Sequence, residues 1–138
     1  MARIFLIDDQ PTVRRGMKQL LTRGAHTVCG EAGSGDEALE RIEASGADMA
    51  LLDLSFGKES GLDLIAGLRE LGIAVLLYSE DEDTVTISRA FAAGANGYVT
   101  KREVGDHLLI AVSDLLAGRR HVSPQAAQSL ANSLIGAT

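Results

Sequence analysis

Short apolar runs alternate with amphipathic stretches along this 138-residue chain. Five of the runs have the length and residue types of β-strands, at residues 3–7, 27–32, 49–54, 74–79 and 97–100. The third and fourth contain the continuous apolar sequences Ala50-Leu51-Leu52 and Ala74-Val75-Leu76-Leu77, which are typical of strands buried on both faces. The pattern therefore predicts strands in the interior of a sheet.

The stretches between the strands have apolar residues at helical spacing. In the first, residues 12–23, Val13 and Met17 recur on one face of a helix. Ser34 and Glu37 stand at the spacing of a capping box, which predicts that a second helix begins there. Further helices are predicted at residues 61–71, 83–93 and 104–117, each followed by a glycine that can end it: Gly72, Gly94 and Gly118.

Strands and helices in alternation predict right-handed βαβ units, in which helices cover both faces of a parallel sheet. Ligands of such sheets bind beyond the carboxyl ends of the strands. Polar residues stand at those ends: Asp8 and Asp9 after the first strand, Asp53 in the third, Ser79 at the end of the fourth and Lys101 after the fifth. Each alone could be a helix cap, a turn residue or a solvated side chain. Because all of them are expected at one edge, the sequence predicts a functional site there.

Adjacent carboxylates at this edge need a positive partner. At a separation of about 4 Å, two carboxylates repel by roughly 4 kcal/mol at an effective dielectric constant of about 20. Lys101 supplies one positive charge, and Mg²⁺, which binds one or two carboxylates and several waters, can supply the rest. A phosphate group can then approach, and one carboxylate can act as a nucleophile and form an aspartyl phosphate.

At these residues the chain resembles the receiver domain of two-component response regulators. The resemblance covers about the first 118 residues. It rests on the Asp8-Asp9 pair, the segment DLSFGKESGLDLI that begins at Asp53, Ser79, and the segment GANGYVTK that ends at Lys101. It implies an α/β fold of flavodoxin-like type, a doubly wound five-stranded parallel sheet with strand order 2-1-3-4-5 and helices on both faces.

The resemblance also implies a role for each site residue. Asp53 would accept a phosphoryl group from a sensor histidine kinase, Ser79 would hydrogen-bond that group, and Lys101 would pair with it. The cofactor Mg²⁺ would be held by Asp9, Asp53, the backbone carbonyl of Ser55 and, through water, Asp8. The chain would assist its own phosphoryl transfer and dephosphorylation, and would not be an enzyme that acts on a separate substrate.

Phosphorylation is expected to act through a switch region. Tyr98, three residues before Lys101, would turn inward when Ser79 moves toward the phosphate; the alternative is a strand tyrosine with a solvated hydroxyl. The region expected to change is residues 83–117, which comprise the fourth helix, fifth strand and fifth helix. A homodimer could form through this region or through the C-terminal tail.

Two places depart from the family pattern. The family usually has an apolar residue and then proline where this chain has Phe56 and Gly57, which predicts a looser loop. After Ser79, where the family usually keeps a small or apolar side chain, Glu80 opens a run of acidic residues that ends at Asp83. The run is either the solvated start of a helix or a charge that slows the entry of anionic phosphodonors or alters the lifetime of the phosphate. We expect slower phosphorylation by small phosphodonors.

Composition limits what the chain can bind by itself. Its formal net charge of −6 argues against direct binding of nucleic acid or of an anionic membrane. No run approaches the roughly 18 apolar residues of a membrane-spanning helix, so a cytoplasmic protein is expected. Cys29, the only cysteine, is expected to be a small buried side chain. The histidines His26, His107 and His121 match no metal-ligand spacing and are interpreted as structural or exposed.

The tail that follows Gly118 predicts one more short helix. Ser123 can cap this helix, Pro124 suits its first position, and an apolar stripe follows. The stretch resembles the linker helix that joins the receiver to a DNA-binding helix-turn-helix domain in LuxR-type response regulators. The chain is therefore divided into a receiver domain, residues 1–118, and a linker helix, residues 119–138, and the output domain is expected to be absent from it.

The expected function is a phosphorylation-activated switch, whose output is transcription regulation by DNA binding through a missing C-terminal domain. The alternative is a stand-alone receiver that acts by protein–protein interaction. An enzyme of similar architecture is disfavoured, because Gln10 follows the Asp8-Asp9 pair where a dehalogenase-type phosphatase would want Asp-x-Asp. A flavodoxin would want a hydroxyl-rich phosphate loop there, which two acids contradict.

Overall fold

The computed structural model describes residues 1–54 and 58–136, with the backbone alone at residues 58–60. Predictions for three places lie outside the described residues: the metal-binding carbonyl of Ser55, the loop departures at Phe56 and Gly57, and the end of the linker at residues 137–138.

Strands and helices alternate as the sequence predicts. The strands are β1 (Arg3–Ile7), β2 (Thr27–Ala32), β3 (Met49–Asp53), β4 (Ala74–Ser79), β5 (Gly97–Thr100) and β6 (His121–Val122). The helices are α1 (Pro11–Arg23), α2 (Gly35–Ser45), α3 (Lys58–Glu70), α4 (Thr84–Ala92), α5 (Val104–Leu116) and α6 (Pro124–Gly136). A 3-10 turn, Lys101–Glu103, connects β5 to α5.

Local signals in the sequence explain most of the helix ends. The side chain of Ser34 accepts a hydrogen bond from the backbone N–H of Glu37 at 3.2 Å, as a capping box requires, although the Glu37 carboxylate pairs with Arg41 instead of reaching back. Three helices are followed by glycines with φ angles of 77°, 114° and 78°, at Gly72, Gly94 and Gly118. These predicted helix ends are confirmed.

Helix α3 begins at Lys58, earlier than its predicted start at Gly61. Gly61 lies inside the helix, where an added Cβ would come within 2.9 Å of Leu54 Cδ1. The glycine therefore allows α3 to pack closely against the end of β3. A hydrophobic pattern does not distinguish a glycine needed for packing from one at a helix start, which explains the error.

All six strands pair in parallel, in the order β2-β1-β3-β4-β5-β6. The doubly wound α/β fold and the order of its first five strands are confirmed. The predicted five-stranded core is confirmed, and among the described residues one short strand, β6, which the prediction assigns to the linker, extends it. The two residues of β6 are too few to show the alternation of a strand in the sequence. They pair with the open edge of β5, and just after them the N–H of Ser123 donates to the carbonyl of Tyr98 at 3.0 Å.

Strand side chains alternate between two apolar layers. The layer between the sheet and helices α2, α3 and α4 includes Ile7, Leu52 and Tyr98. The layer between the sheet and helices α1 and α5 includes Tyr78. Asp8 and Asp53 each directly follow a residue of the first layer, so their side chains belong to the second side of the sheet, together with Tyr78.

The tail lies against the domain that it follows. Ala126 of α6 is fully buried, and Leu130 packs against the layer formed by α2, α3 and α4. Thr84 Oγ1, at the start of α4, donates to the carbonyl of Ser129 at 3.0 Å. The tail is therefore part of the same packed body as the preceding residues.

Two expectations about single residues are corrected. Cys29 is only partly buried, because β2 is an edge strand of the sheet. The backbone N–H of Gln125, in the first turn of α6, donates to Glu103 Oε2 at 3.1 Å, so the cap comes from the 3-10 turn and not from Ser123 as the local sequence predicts. Sequence-local rules miss this cap because its donor and acceptor belong to different elements.

Candidate functional site

The carboxyl ends of four neighbouring strands form one rim of polar side chains. Asp8 follows β1, Asp53 ends β3, Ser79 ends β4, and Lys101 opens the turn after β5. Asp8, Asp53 and Ser79 are 0%, 2% and 1% exposed. Polar groups are seldom buried so completely unless they have partners, and their partners show how the site is built.

Asp53 and Lys101 form the central ion pair of this rim. Lys101 Nζ lies 3.1 Å from Asp53 Oδ2, and the side chain of Lys101 is 23% exposed. The ammonium group is therefore held against a buried carboxylate while remaining accessible from solvent. An arrangement of this kind places a carboxylate oxygen and a positive charge side by side at the edge of the sheet.

Asp8 is fixed by two protein donors. Its Oδ2 accepts a hydrogen bond from the Tyr78 hydroxyl, and its Oδ1 accepts one from the backbone N–H of Gln10 at 2.8 Å. Burial raises the pKa of the Asp8 carboxyl, although the hydrogen bonds from Tyr78 and Gln10 oppose the increase. Burial also raises the pKa of Tyr78, so its hydroxyl stays protonated and acts as the donor.

Asp9 differs from its neighbour, because it is exposed at the surface. Within residues 1–54 and 58–136, no three His, Cys, Asp or Glu side chains come together as a group that could hold a metal ion. The structure therefore brings Asp8, Asp53 and Lys101 together, while Asp9 stands outside them. Mg²⁺ commonly needs only one or two carboxylates with several waters, so the buried carboxylates of Asp8 and Asp53 fit such an ion.

Ser79 and Tyr98 meet at the same backbone segment. Ser79 Oγ accepts a hydrogen bond from the N–H of Asp81 at 3.0 Å, and the Tyr98 hydroxyl donates to the carbonyl of Asp81. Tyr98 is 0% exposed, and burial raises its pKa to about 12. The alternative of a strand tyrosine with a solvated hydroxyl is therefore wrong, and the ring faces the interior.

Most of the acidic run after Ser79 has structural partners. Glu82 forms a two-point ion pair with Arg102, with both distances 2.8 Å, and Asp83 caps α4 through the N–H of Val85. Glu80 is exposed and lines a groove of about 300 Å³ together with Lys101. Of the acidic residues in the run, Glu80 is the one that lines this groove, next to the Lys101 side chain that pairs with Asp53.

Tyr78 belongs to the site but is missed by sequence reasoning. Its hydroxyl contacts Asp8, and its ring centroid lies 5.7 Å from Lys101 Nζ. A signal is present in the sequence, because the residue before Ser79 must face the opposite side of the sheet from Ser79, where Asp8 and Asp53 also lie. Without the pairing of the strands, however, Tyr78 looks like any other apolar strand residue.

Over residues 4–113, the sequence matches the family model described as "Response regulator receiver domain". The chain belongs to this family. The resemblance inferred from the rim residues is confirmed by this match, which covers most of the chain.

Two curated relatives of this receiver domain are transcription regulators by name. The DNA-binding transcriptional activator DevR/DosR of Mycobacterium tuberculosis is 38% identical over 143 residues, with 99% of this chain and 64% of that protein covered. The nitrate/nitrite response regulator protein NarL of Escherichia coli K12 is 37% identical over 139 residues, with 96% and 63% covered. The chain thus spans less than two thirds of the length of these relatives.

A solved structure also resembles this receiver domain over nearly all of both chains. The crystal structure of a two-component response regulator of the LuxR family from Aurantimonas sp. SI85-9A1 has a TM-score of 0.91 and 33% sequence identity, covering 98% of this chain and 99% of that chain. The LuxR-type subfamily inferred from the tail is confirmed. In the part of the chain that the structure describes, no helix is both long and apolar enough to cross a membrane.

Proposed function

We propose that this receiver domain is a phosphorylation-controlled switch, in which Asp53 accepts a phosphoryl group from the phosphohistidine of a sensor kinase. The observation that carries the proposal is the buried Asp53 carboxylate with Lys101 Nζ at 3.1 Å, next to the buried Asp8. Membership of the receiver family supports this reading of the rim. The reaction modifies the chain itself, so the protein is not an enzyme with a separate substrate.

Asp53 is the nucleophile in the proposed reaction. A carboxylate oxygen of Asp53 attacks the phosphorus atom and forms an O–P bond, while the P–N bond breaks and its electron pair stays on the histidine nitrogen. Lys101 then pairs with a phosphoryl oxygen, and Ser79 donates its hydroxyl proton to another. Bound Mg²⁺ would be held by Asp9, Asp53, the carbonyl of Ser55 and, through water, Asp8, and would neutralise negative charge at these groups.

The proposed switch uses the contacts around Asp81. Movement of Ser79 toward the phosphoryl group would break its hydrogen bond with the N–H of Asp81, whose carbonyl accepts from Tyr98. The backbone of Tyr98 in turn binds Ser123, at the start of the tail. A change at Asp53 would therefore reach residues 83–117 and the tail, either of which would form a homodimer interface.

The proposed output is transcription regulation through a C-terminal DNA-binding domain beyond the linker at residues 119–138. The names of the two relatives and the 64% and 63% of their lengths covered by this chain support it. In the alternative, residues 1–118 and the tail act by contact with another protein. The intact mass of the native protein separates the two, since a DNA-binding domain would add roughly 60 to 80 residues.

The phosphorylation itself is tested with the full chain, Mg²⁺ and acetyl phosphate, by intact mass and by mapping of the modified residue. We expect the wild type to gain one phosphoryl group at Asp53 and the Asp53→Asn variant to gain none. Asp63→Asn, an exposed aspartate of α3, is the matched control and keeps the modification. A wild type that stays unmodified, or an Asp53→Asn variant that is modified equally, would contradict the proposal.

A further inference from the structure

Tyr78 is a buried core residue that also contacts the candidate site through its hydroxyl, its backbone and its ring. It is 2% exposed, and its ring belongs to the apolar layer of α1 and α5. A phenylalanine would fill the same space, but the hydroxyl of Tyr78 ends on the carboxylate of Asp8. A buried hydroxyl is costly to desolvate unless it finds a partner, so the pair of Tyr78 and Asp8 is mutually dependent.

The backbone of Tyr78 is also tied to the phospho-acceptor strand. Tyr78 is the register partner of Asp53 in the pairing of β3 with β4, and its carbonyl accepts from the N–H of Leu54 at 3.2 Å. The carboxyl end of β3 therefore cannot shift without moving Tyr78. One residue thus contacts Asp8 by its hydroxyl and the strand of Asp53 by its backbone.

The ring of Tyr78 provides the third contact. Lys101 Nζ lies over it, 5.7 Å from the centroid, while donating to Asp53 Oδ2 at 3.1 Å. This distance is within the range of a cation–π interaction. The ammonium group of Lys101 is thus in contact with both the ring of Tyr78 and the carboxylate of Asp53.

From these contacts we propose that Tyr78 is a positioning residue for the metal site. Its hydroxyl fixes the orientation of the Asp8 carboxylate, and its ring supports Lys101. The inference rests on the proposed function, because it concerns the binding of Mg²⁺ to the acidic rim. Groups that hydrogen-bond a metal-binding carboxylate are commonly needed for affinity, and their loss weakens metal binding by about 10- to 100-fold.

The test compares two variants of the full chain. Tyr78→Phe removes the hydroxyl and keeps the ring, whereas Tyr78→Leu removes both. Mg²⁺ affinity is measured by calorimetry, phosphorylation by acetyl phosphate is measured across Mg²⁺ concentrations, and folding is checked by circular dichroism.

For Tyr78→Phe we expect Mg²⁺ binding about 10-fold weaker and a phosphorylation rate that recovers at saturating Mg²⁺. For Tyr78→Leu we expect the rate to stay low even at saturating Mg²⁺, because Lys101 has lost its support.

A second measurement uses the wild type and does not depend on the folding of a variant. With carbon-13 in the tyrosine rings, Mg²⁺ titration followed by NMR should shift the Tyr78 signals more than those of Tyr98, which lies on the other face of the sheet. Unmoved Tyr78 signals would overturn the inference. So would a Tyr78→Phe variant whose Mg²⁺ affinity stays within twofold of the wild type.

Failure of the proposed function has a different signature. If the wild type neither binds Mg²⁺ nor becomes modified at Asp53, the switch proposal and the inference both fall. If the wild type does both and Tyr78→Phe behaves identically, the switch proposal stands and the role of Tyr78 is rejected.

Discussion

Asp8 and Asp9 are adjacent in the sequence and have opposite environments. Asp8 is fully buried and bound by Tyr78 and the N–H of Gln10, whereas Asp9 is exposed. Asp8 directly follows β1, with its side chain on the α1 and α5 side of the sheet, whereas Asp9 lies in the bend between β1 and α1. The pair therefore contributes one carboxylate to the protein interior and one to the solvent side of the rim.

Glu80 is the residue at which a substitution should speed phosphorylation by a small donor. Its exposed carboxylate borders the groove next to Lys101, and it repels an incoming phosphate dianion. We expect Glu80→Ala to react about two- to fivefold faster with acetyl phosphate, since an exposed charge contributes up to about 1 kcal/mol. The difference should shrink in high salt, which screens exposed charges.

The matched control for Glu80 is Glu70→Ala, which removes the same charge from the end of α3, just before β4 begins. Its rate should equal that of the wild type. An unchanged rate for Glu80→Ala would show that the acid is only a solvated residue of the loop before α4.

At the scale of elements, the attachment of α6 depends on the 3-10 turn beside Lys101. Glu103 accepts hydrogen bonds from the Thr100 hydroxyl at 2.8 Å and from the N–H of Gln125 at 3.1 Å. The same short turn thus carries Lys101 and the cap of α6. The start of the tail helix is therefore coupled to the end of β5 that is followed by Lys101.

Loss of the Glu103 carboxylate should loosen α6 without unfolding the sheet. A capping group contributes about 1 kcal/mol, so Glu103→Ala should raise amide hydrogen exchange in α6 about fivefold. The measurement is exchange mass spectrometry on peptides of α6, with those of β1 as the internal reference. Unchanged exchange in α6 would contradict a capping role.

The attachment of α6 should also depend on pH. Burial opposes ionisation of Glu103, but the polar groups of Ser123, Thr100 and the N–H of Gln125 outweigh it and hold the pKa of Glu103 below the ordinary value of 4.5. Because the pKa of Glu103 is lowered in the folded chain, its ionised carboxylate stabilises the attachment of α6 above pH 4.5. This stabilisation is lost as the pH falls through the lowered pKa of Glu103. Glu103→Gln should lack this loss. Asp114, whose pKa is also lowered by hydrogen bonds from His121 and Arg119, contributes a pH dependence of its own.

At the scale of the whole molecule, the tail completes the sheet and one apolar layer. Strand β6 covers the edge of β5, and Ala126 and Leu130 lie against the layer of α2, α3 and α4. Without the tail, β5 would present unpaired backbone groups at the edge of the sheet. The segments on the two sides of the predicted boundary at residue 118 are therefore packed against each other.

Removal of residues 119–138 should lower the free energy of unfolding while leaving the domain folded. Burial of one leucine side chain contributes about 2 kcal/mol, which sets the expected loss. Urea unfolding followed by circular dichroism measures it, and a truncated chain as stable as the full one would mean that the tail is only loosely attached. The truncated chain should also be more prone to associate through β5, which light scattering detects.

The sequence alone determined the fold class, the order of the elements and the rim of the site. Alternating apolar runs, glycines with positive φ and a cap at Ser34 act within a few residues, so local patterns reveal them. Asp8, Asp9, Asp53, Ser79 and Lys101 were all expected at one edge because parallel strands end together there. Asp8, Asp53, Ser79 and Lys101 lie at the strand ends as expected, whereas Asp9 is exposed. The residue-by-residue roles in phosphorylation remain predictions.

Only the tertiary structure decided which residues become partners across the chain. Tyr78 and Asp8 are 70 positions apart, and Glu103 and Gln125 are 22 positions apart. Their contacts depend on the order of the strands and on the face that each side chain takes, which no local spacing encodes. The same holds for β6, whose two residues become a strand because β5 offers an open edge beside them.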